Sequence, residues 1–77
     1  MTSGQIQLAF GTVLRRLREE RGMTQEDLAH ESEVGRVSIA MMETGKRLPT
    51  LPTIFRLADA LGEKPEDLVR LLRAEAR

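Results

Sequence analysis

The sequence has no cysteine, tryptophan or tyrosine, and its 77 residues include only two aromatics, Phe10 and Phe55. Without cysteine there is neither a disulfide framework nor a thiolate zinc site. The single histidine, His30, has no second histidine to complete a metal site, and Glu31 beside it reads as a solvated helix residue. No metal or other cofactor is therefore expected. With so few rings, a core must be aliphatic and modest in size, and the length allows one domain.

Long apolar runs are missing as well. The longest, Ile39 to Met42, falls far short of the roughly 20 residues that a membrane span needs, and no apolar signal segment opens the chain. A cytoplasmic protein without membrane contact is the expectation. Charge of one sign is also lacking, because 12 basic and 12 acidic side chains cancel. A general polyanion binder is thus disfavoured, and any nucleic-acid binding must come from where the charges sit.

Their placement is uneven. Residues 1–21 carry four Arg against two Glu, while residues 22–34 carry four acids and neither Lys nor Arg. Residues 35–56 hold four basic groups against Glu43, and residues 57–77 hold four against five acids. An anion-facing surface should draw on the first and third blocks.

Breaks at Gly22, at Glu33 to Gly35, at Gly45 to Pro52 and at Gly62 to Pro65 divide the chain into five segments. In the first, Ile6, Phe10, Val13, Leu14 and Leu17 recur at helical intervals with charged residues between them. Residues 1–4 before this stripe read as a flexible end. Thr24 with Asp27 resembles a capping box, and a short second helix with Leu28 and Ala29 inward must stop by Ser32 or Glu33. A third helix carries Val34, Val37, Ile39 and Met42 and ends at Gly45. Thr50 caps a fourth, with Pro52 in its first turn and Ile54, Phe55, Leu57, Ala58 and Leu61 as its apolar stripe. Pro65, Glu66 and Asp67 open a fifth. No run alternates with the two-residue period of a strand, so the fold class is all-α.

Two short helices joined by a tight turn, about residues 24–43, form a geometry that can push a helix into a major groove. On that third helix, Arg36, Val37, Ala40 and Met41 lie away from the Ile39 and Met42 side. They are the candidate base contacts: Arg36 as a bidentate donor to guanine, and the apolar three against thymine methyls.

The run LRRLREERGMTQEDLA at 14–29, then Ile39, Met42 to Arg47, Pro49, and LADALG at 57–62 resemble the Xre and Cro type of helix-turn-helix family. Phage repressors and restriction-modification controller proteins belong to that family. The resemblance runs from about Phe10 to Leu72. It implies a five-helix, lambda-repressor-like domain that binds double-stranded DNA and regulates transcription. By the same resemblance, Gln25 bonds a phosphate at the start of helix two, and Lys46 and Arg47 touch the backbone from the loop after helix three. Thr24, Gly35 and Ser38 complete the candidate phosphate contacts. Arg18 and Glu43 match positions that in similar repressors form a partly buried ion pair, which orients helices one and three.

The sequence departs from the family pattern at three places. Glu33 stands where the family commonly has Gly in a left-handed turn, and Gly35 where it has a Ser or Thr cap. The outward residues of helix three are mostly apolar, whereas relatives present several polar groups there. An exposed Val37, Ala40 and Met41 surface also suits a protein partner, which keeps an antitoxin-like or polymerase-contacting adaptor as the competing function.

One helix-turn-helix reads only a few base pairs, so a homodimer on a palindromic operator is expected. Helix five, about 65–76, is the candidate dimerisation helix through Leu68, Val69, Leu71 and Leu72, with helix four nearby. A monomer in which these four residues cap the core is the alternative. No Ser-His-Asp spacing, phosphate-cradling glycine loop or carboxylate pair supports catalysis, and no small-molecule ligand is expected.

Overall fold

The computed structural model describes residues 1–76, and it contains five helices in chain order. They are α1 (Ser3–Glu20), α2 (Gln25–Ser32), α3 (Arg36–Glu43), α4 (Leu51–Ala60) and α5 (Pro65–Glu75). The all-α expectation holds, and among the described residues no helix is long and apolar enough to cross a membrane.

Local chemistry explains most boundaries. Thr24 caps α2: its hydroxyl accepts the Asp27 N–H at 3.0 Å while the Asp27 carboxylate accepts the Thr24 N–H at 2.9 Å. Thr50 caps α4, and Pro52 lies in that helix's first turn, where its missing N–H leaves no bond unmade. The first helix begins earlier than its apolar stripe suggests. Residues 3 and 4, read from the sequence as part of a loose end, belong to α1 because Thr2 and Gln5 form a second capping box.

The turn between α2 and α3 contains the only non-glycine residue with positive φ among those described, Glu33 at φ 59° and ψ 26°. The residue after it holds the turn in place. Val34 is buried, and its N–H donates to the hydroxyl of buried Ser32 at 3.2 Å, which itself donates to Leu28 O at 2.6 Å. The Glu33 backbone must therefore follow, at a steric cost that glycine avoids. Glu33→Gly is expected to stabilise the domain by about 1 kcal/mol after the extra chain entropy of glycine is subtracted, raising Tm by roughly 4–8 °C. A thermal melt that shows no rise would mean that the turn is unstrained.

Helix α1 packs against α3 and α5, α2 against α3 and α4, and α4 against α5. Phe10, Val13, Leu14, Leu28, Ile39, Met42, Leu57, Leu61 and Leu68 fill the centre, each under 2% exposed. This small core, aliphatic apart from Phe10, holds α2 through Leu28 and α3 through Ile39 and Met42. Gly11 also lies in this packing: a Cβ there would come 2.6 Å from Met42 O and 2.7 Å from Glu43 O, so α1 crosses the last turn of α3 at backbone distance.

Two residues sit where their sequence pattern does not put them. Leu68, a candidate for the dimer surface, is 1% exposed and belongs to the core. Phe55, placed in the apolar stripe of helix four, is 51% exposed. The α5 helix turns Leu68 toward α1 and α4, with Leu71 and Leu72 half-buried against the same core, and α4 turns Leu57, Ala58 and Leu61 inward instead of Phe55.

Candidate nucleic-acid interface

The third helix is anchored on one side and open on the other. Ile39 and Met42 are buried at 0% and 1% exposure, whereas Val37 is 64% exposed, Arg36 is exposed, and Ala40 and Met41 are partly so. A spacing of three and four residues puts opposite characters on opposite sides of an eight-residue helix. Gly35 caps α3 with no side-chain hydrogen bond, and a Cβ there would meet nothing within 4 Å.

The far end of α3 is shaped by Gly45, at φ 75°. The Gly45 N–H donates to Met42 O at 3.1 Å and the Lys46 N–H to Met41 O at 2.9 Å, a closure that satisfies the last carbonyls and requires a left-handed residue. A side chain there would also press on Leu8, whose Cδ2 lies 2.8 Å from the position of a Cβ. The chain thus leaves α3 with Lys46 and Arg47 exposed directly beside it. Arg47 folds back along the helix, and its Nη1 donates to Ser38 Oγ at 2.6 Å.

At the start of α2 the capping box uses the N–H groups of Thr24 and Asp27, which leaves those of Gln25 and Glu26 as open donors of the first turn. The Thr24 N–H and hydroxyl hold the Asp27 carboxyl below its usual range. Thr24, Gln25 and Arg36 line one shallow cleft with Arg18 and Glu19 of α1 and with Gly22, Met23 and Glu26. The Gln25 side chain is not free: its Nε2 donates to Glu43 Oε1 at 3.1 Å.

That carboxylate is the hub of the site's support. Arg18 Nε donates to Glu43 Oε2 at 2.7 Å and Arg18 Nη2 to Glu43 Oε1 at 3.0 Å, while Arg18 Nη1 donates to Met23 O at 2.7 Å. The side chains are only 11% and 3% exposed, and the hydrogen bonds to Glu43 raise the Arg18 pKa above its ordinary value. One bidentate pair therefore ties α1 to the end of α3, to the loop before α2 through Met23, and to α2 through Gln25.

Helical spacing puts Arg36, Val37, Ala40 and Met41 on one flank of α3, with Gly35 just before the helix and Ser38 in its first turn. Thr24 and Gln25 share a cleft with Arg36, and Lys46 and Arg47 follow at the exit of the helix. Three polar groups are already engaged within the chain: the hydroxyls of Thr24 and Ser38 and the amide of Gln25. Gly11 contributes to placing the helix, yet sequence reasoning passed over it. A glycine inside a helical pattern, between buried Phe10 and Val13, was the available signal.

An anchored second helix with an open flank, cations at its exit and open amides at the start of its partner define a helix-turn-helix module of the DNA-binding kind. The chain belongs to the helix-turn-helix family HTH_3, whose profile matches residues 14–68. It is 37% identical over 68 residues to the control protein C.BamHI of Bacillus amyloliquefaciens, covering 87% of this chain and 84% of that one. Among solved structures it is similar to the restriction-modification controller protein C.AhdI of Aeromonas hydrophila, with TM-score 0.77 and 39% identity over 80% of this chain and 94% of that chain. A tetramer of the controller protein C.Esp1396I in complex with its natural 35 base-pair operator is also similar, with TM-score 0.82 and 28% identity over 92% and 93% of the two chains.

Proposed function

We infer that the protein is a sequence-specific, double-stranded-DNA-binding transcriptional regulator of the repressor or controller type, acting in the cytoplasm on a palindromic operator. The observation that carries this reading is the open flank of α3, with Arg36 and exposed Val37 on it and Lys46 and Arg47 beside its exit. Relatives of similar length include controller proteins, and one of these is solved on its operator. In this reading α3 enters the major groove, where Arg36 reads a guanine and Val37, Ala40 and Met41 lie against thymine methyls. Lys46, Arg47 and the open amides of Gln25 and Glu26 hold the phosphates.

Substitution separates the two kinds of contact. Arg36→Ala is expected to cost about 1–3 kcal/mol on a duplex selected from a random pool and to relax the preference at one base pair of each half-site. Lys46→Ala should weaken all sequences alike and reduce the salt dependence of binding. Equal and negligible effects from both would point to a protein partner instead.

The dimer surface in this reading lies on α4 and α5. Leu51 and Phe55, one helical turn apart on α4, are 66% and 51% exposed, and Val69 on α5 is 46% exposed. Leu51 and Phe55 take the place of buried Leu68 beside Val69, while Leu71 and Leu72 are half-buried against the core. Sedimentation equilibrium should show a dimer at micromolar concentration and a monomer for Phe55→Glu. A monomeric wild type would remove the dimer.

A further inference from the structure

Among the described residues, Arg47 is the cation beside the α3 flank that is tethered to the helix by a side-chain hydrogen bond. Its guanidinium reaches back nine positions to Ser38, from beyond the end of the helix to its first turn, a distance of about 7 Å along the axis from Glu43. Lys46, its neighbour, extends from the same loop without such a tether and serves as a point charge on a flexible stem. We propose that Ser38 is a positioning residue that acts on DNA through Arg47, holding that guanidinium at the flank of α3 where a backbone phosphate would lie. This rests on the DNA-binding reading above.

The chemistry supports the division of labour. An arginine side chain free in water loses several rotatable bonds when a phosphate immobilises it, and a hydrogen bond formed beforehand removes part of that loss. A guanidinium carries five N–H donors, so one bond to Ser38 Oγ leaves four for phosphate oxygens. The serine oxygen, in turn, is occupied as an acceptor within the chain. A neutral hydroxyl that touched phosphate directly would release no counterion, whereas the arginine does. The salt dependence of binding therefore distinguishes a serine acting by itself from one acting through Arg47.

The test measures the affinity of the full chain for the duplex selected from a random pool, by fluorescence anisotropy over a range of salt concentrations, for Ser38→Ala, Ser38→Thr, Arg47→Ala and the Ser38→Ala/Arg47→Ala double variant. Arg47→Ala should lower the slope of log affinity against log salt by about 0.9, the share of one phosphate contact. Ser38→Ala should weaken binding roughly 2- to 10-fold and remove part of the same slope. Ser38→Thr, which keeps the hydroxyl, should restore both, and the double variant should match Arg47→Ala alone. A partly unfolded variant lowers apparent affinity at every salt concentration by one factor and leaves the slope intact, so misfolding does not imitate this result. The proposal is overturned if Ser38→Ala changes nothing, weakens binding at the wild-type slope, or still weakens it in the Arg47→Ala background. If Arg47→Ala and Lys46→Ala both keep the wild-type slope, the DNA-binding reading itself fails and takes this proposal with it.

Discussion

Glu43→Leu is expected to lower the unfolding free energy by about 3–5 kcal/mol, because it strands the Arg18 guanidinium in a site only 11% open to water. The carboxylate accepts two hydrogen bonds from Arg18 and one from Gln25, so its loss leaves three donors without a partner. A domain of this size holds on the order of 4–12 kcal/mol in total, so the variant sits near the edge of folding. Replacing both partners by apolar residues of similar volume, Arg18→Met with Glu43→Leu, should recover most of that loss, since no charge is then left buried. Urea titration checks both variants, provided that the denaturant slope stays at its wild-type value. A loss below about 1 kcal/mol for the single change would mean that the pair behaves as a solvated surface bridge.

The double variant also separates stability from function. Arg18 and Glu43 connect α1, the start of α2 and the end of α3, so the pair sets the angle at which α3 is presented. A refolded Arg18→Met/Glu43→Leu protein should therefore keep its helices while binding its duplex more weakly than wild type.

Gly11→Ala is the second large effect, with an expected cost of about 1–3 kcal/mol. Helix propensity alone predicts the opposite sign, because alanine is favoured over glycine inside a helix by roughly 0.5–1 kcal/mol. The contact decides it. The new methyl would lie 2.6 Å and 2.7 Å from two carbonyl oxygens of α3, and backbone cannot rotate aside as a flexible side chain can. Helices α1 and α3 must separate, which loosens the packing of Ile39 and Met42 and shifts the last turn of α3. Thermal unfolding gives the sign directly. An alanine variant that melts above wild type would show that the two helices are not held at backbone distance.

The fold was largely legible because its punctuation is local. Gly22, Gly45 and Gly62 close their helices at positive φ, and Thr24 and Thr50 cap theirs through their own side chains. Each of these depends on a few neighbouring residues, which a sequence displays. The Arg18 and Glu43 pair was also anticipated, from the resemblance to similar repressors. What escaped depends on which helix lies over which. Leu68 and Phe55 are both apolar residues on amphipathic helices, and only the packing decides that α5 buries the first while α4 turns Leu57, Ala58 and Leu61 inward and leaves the second exposed. The Gln25 amide is held by a carboxylate 18 positions away, a contact that no local pattern displays. The Ser38 contact of Arg47 has the same origin, since it depends on the path by which the chain leaves Gly45.

Replacing single guanines of the selected duplex by 7-deazaguanine shows whether the Arg36 flank of α3 enters a major groove. That substitution removes the N7 acceptor from the major groove and leaves the Watson–Crick pairing in place. At one position per half-site, wild-type affinity should fall roughly 5- to 150-fold, the range that about 1–3 kcal/mol implies, and Arg36→Ala should show no further loss there. Wild-type affinity that is indifferent to every such replacement, or equally sensitive with Arg36→Ala, would contradict that placement of α3.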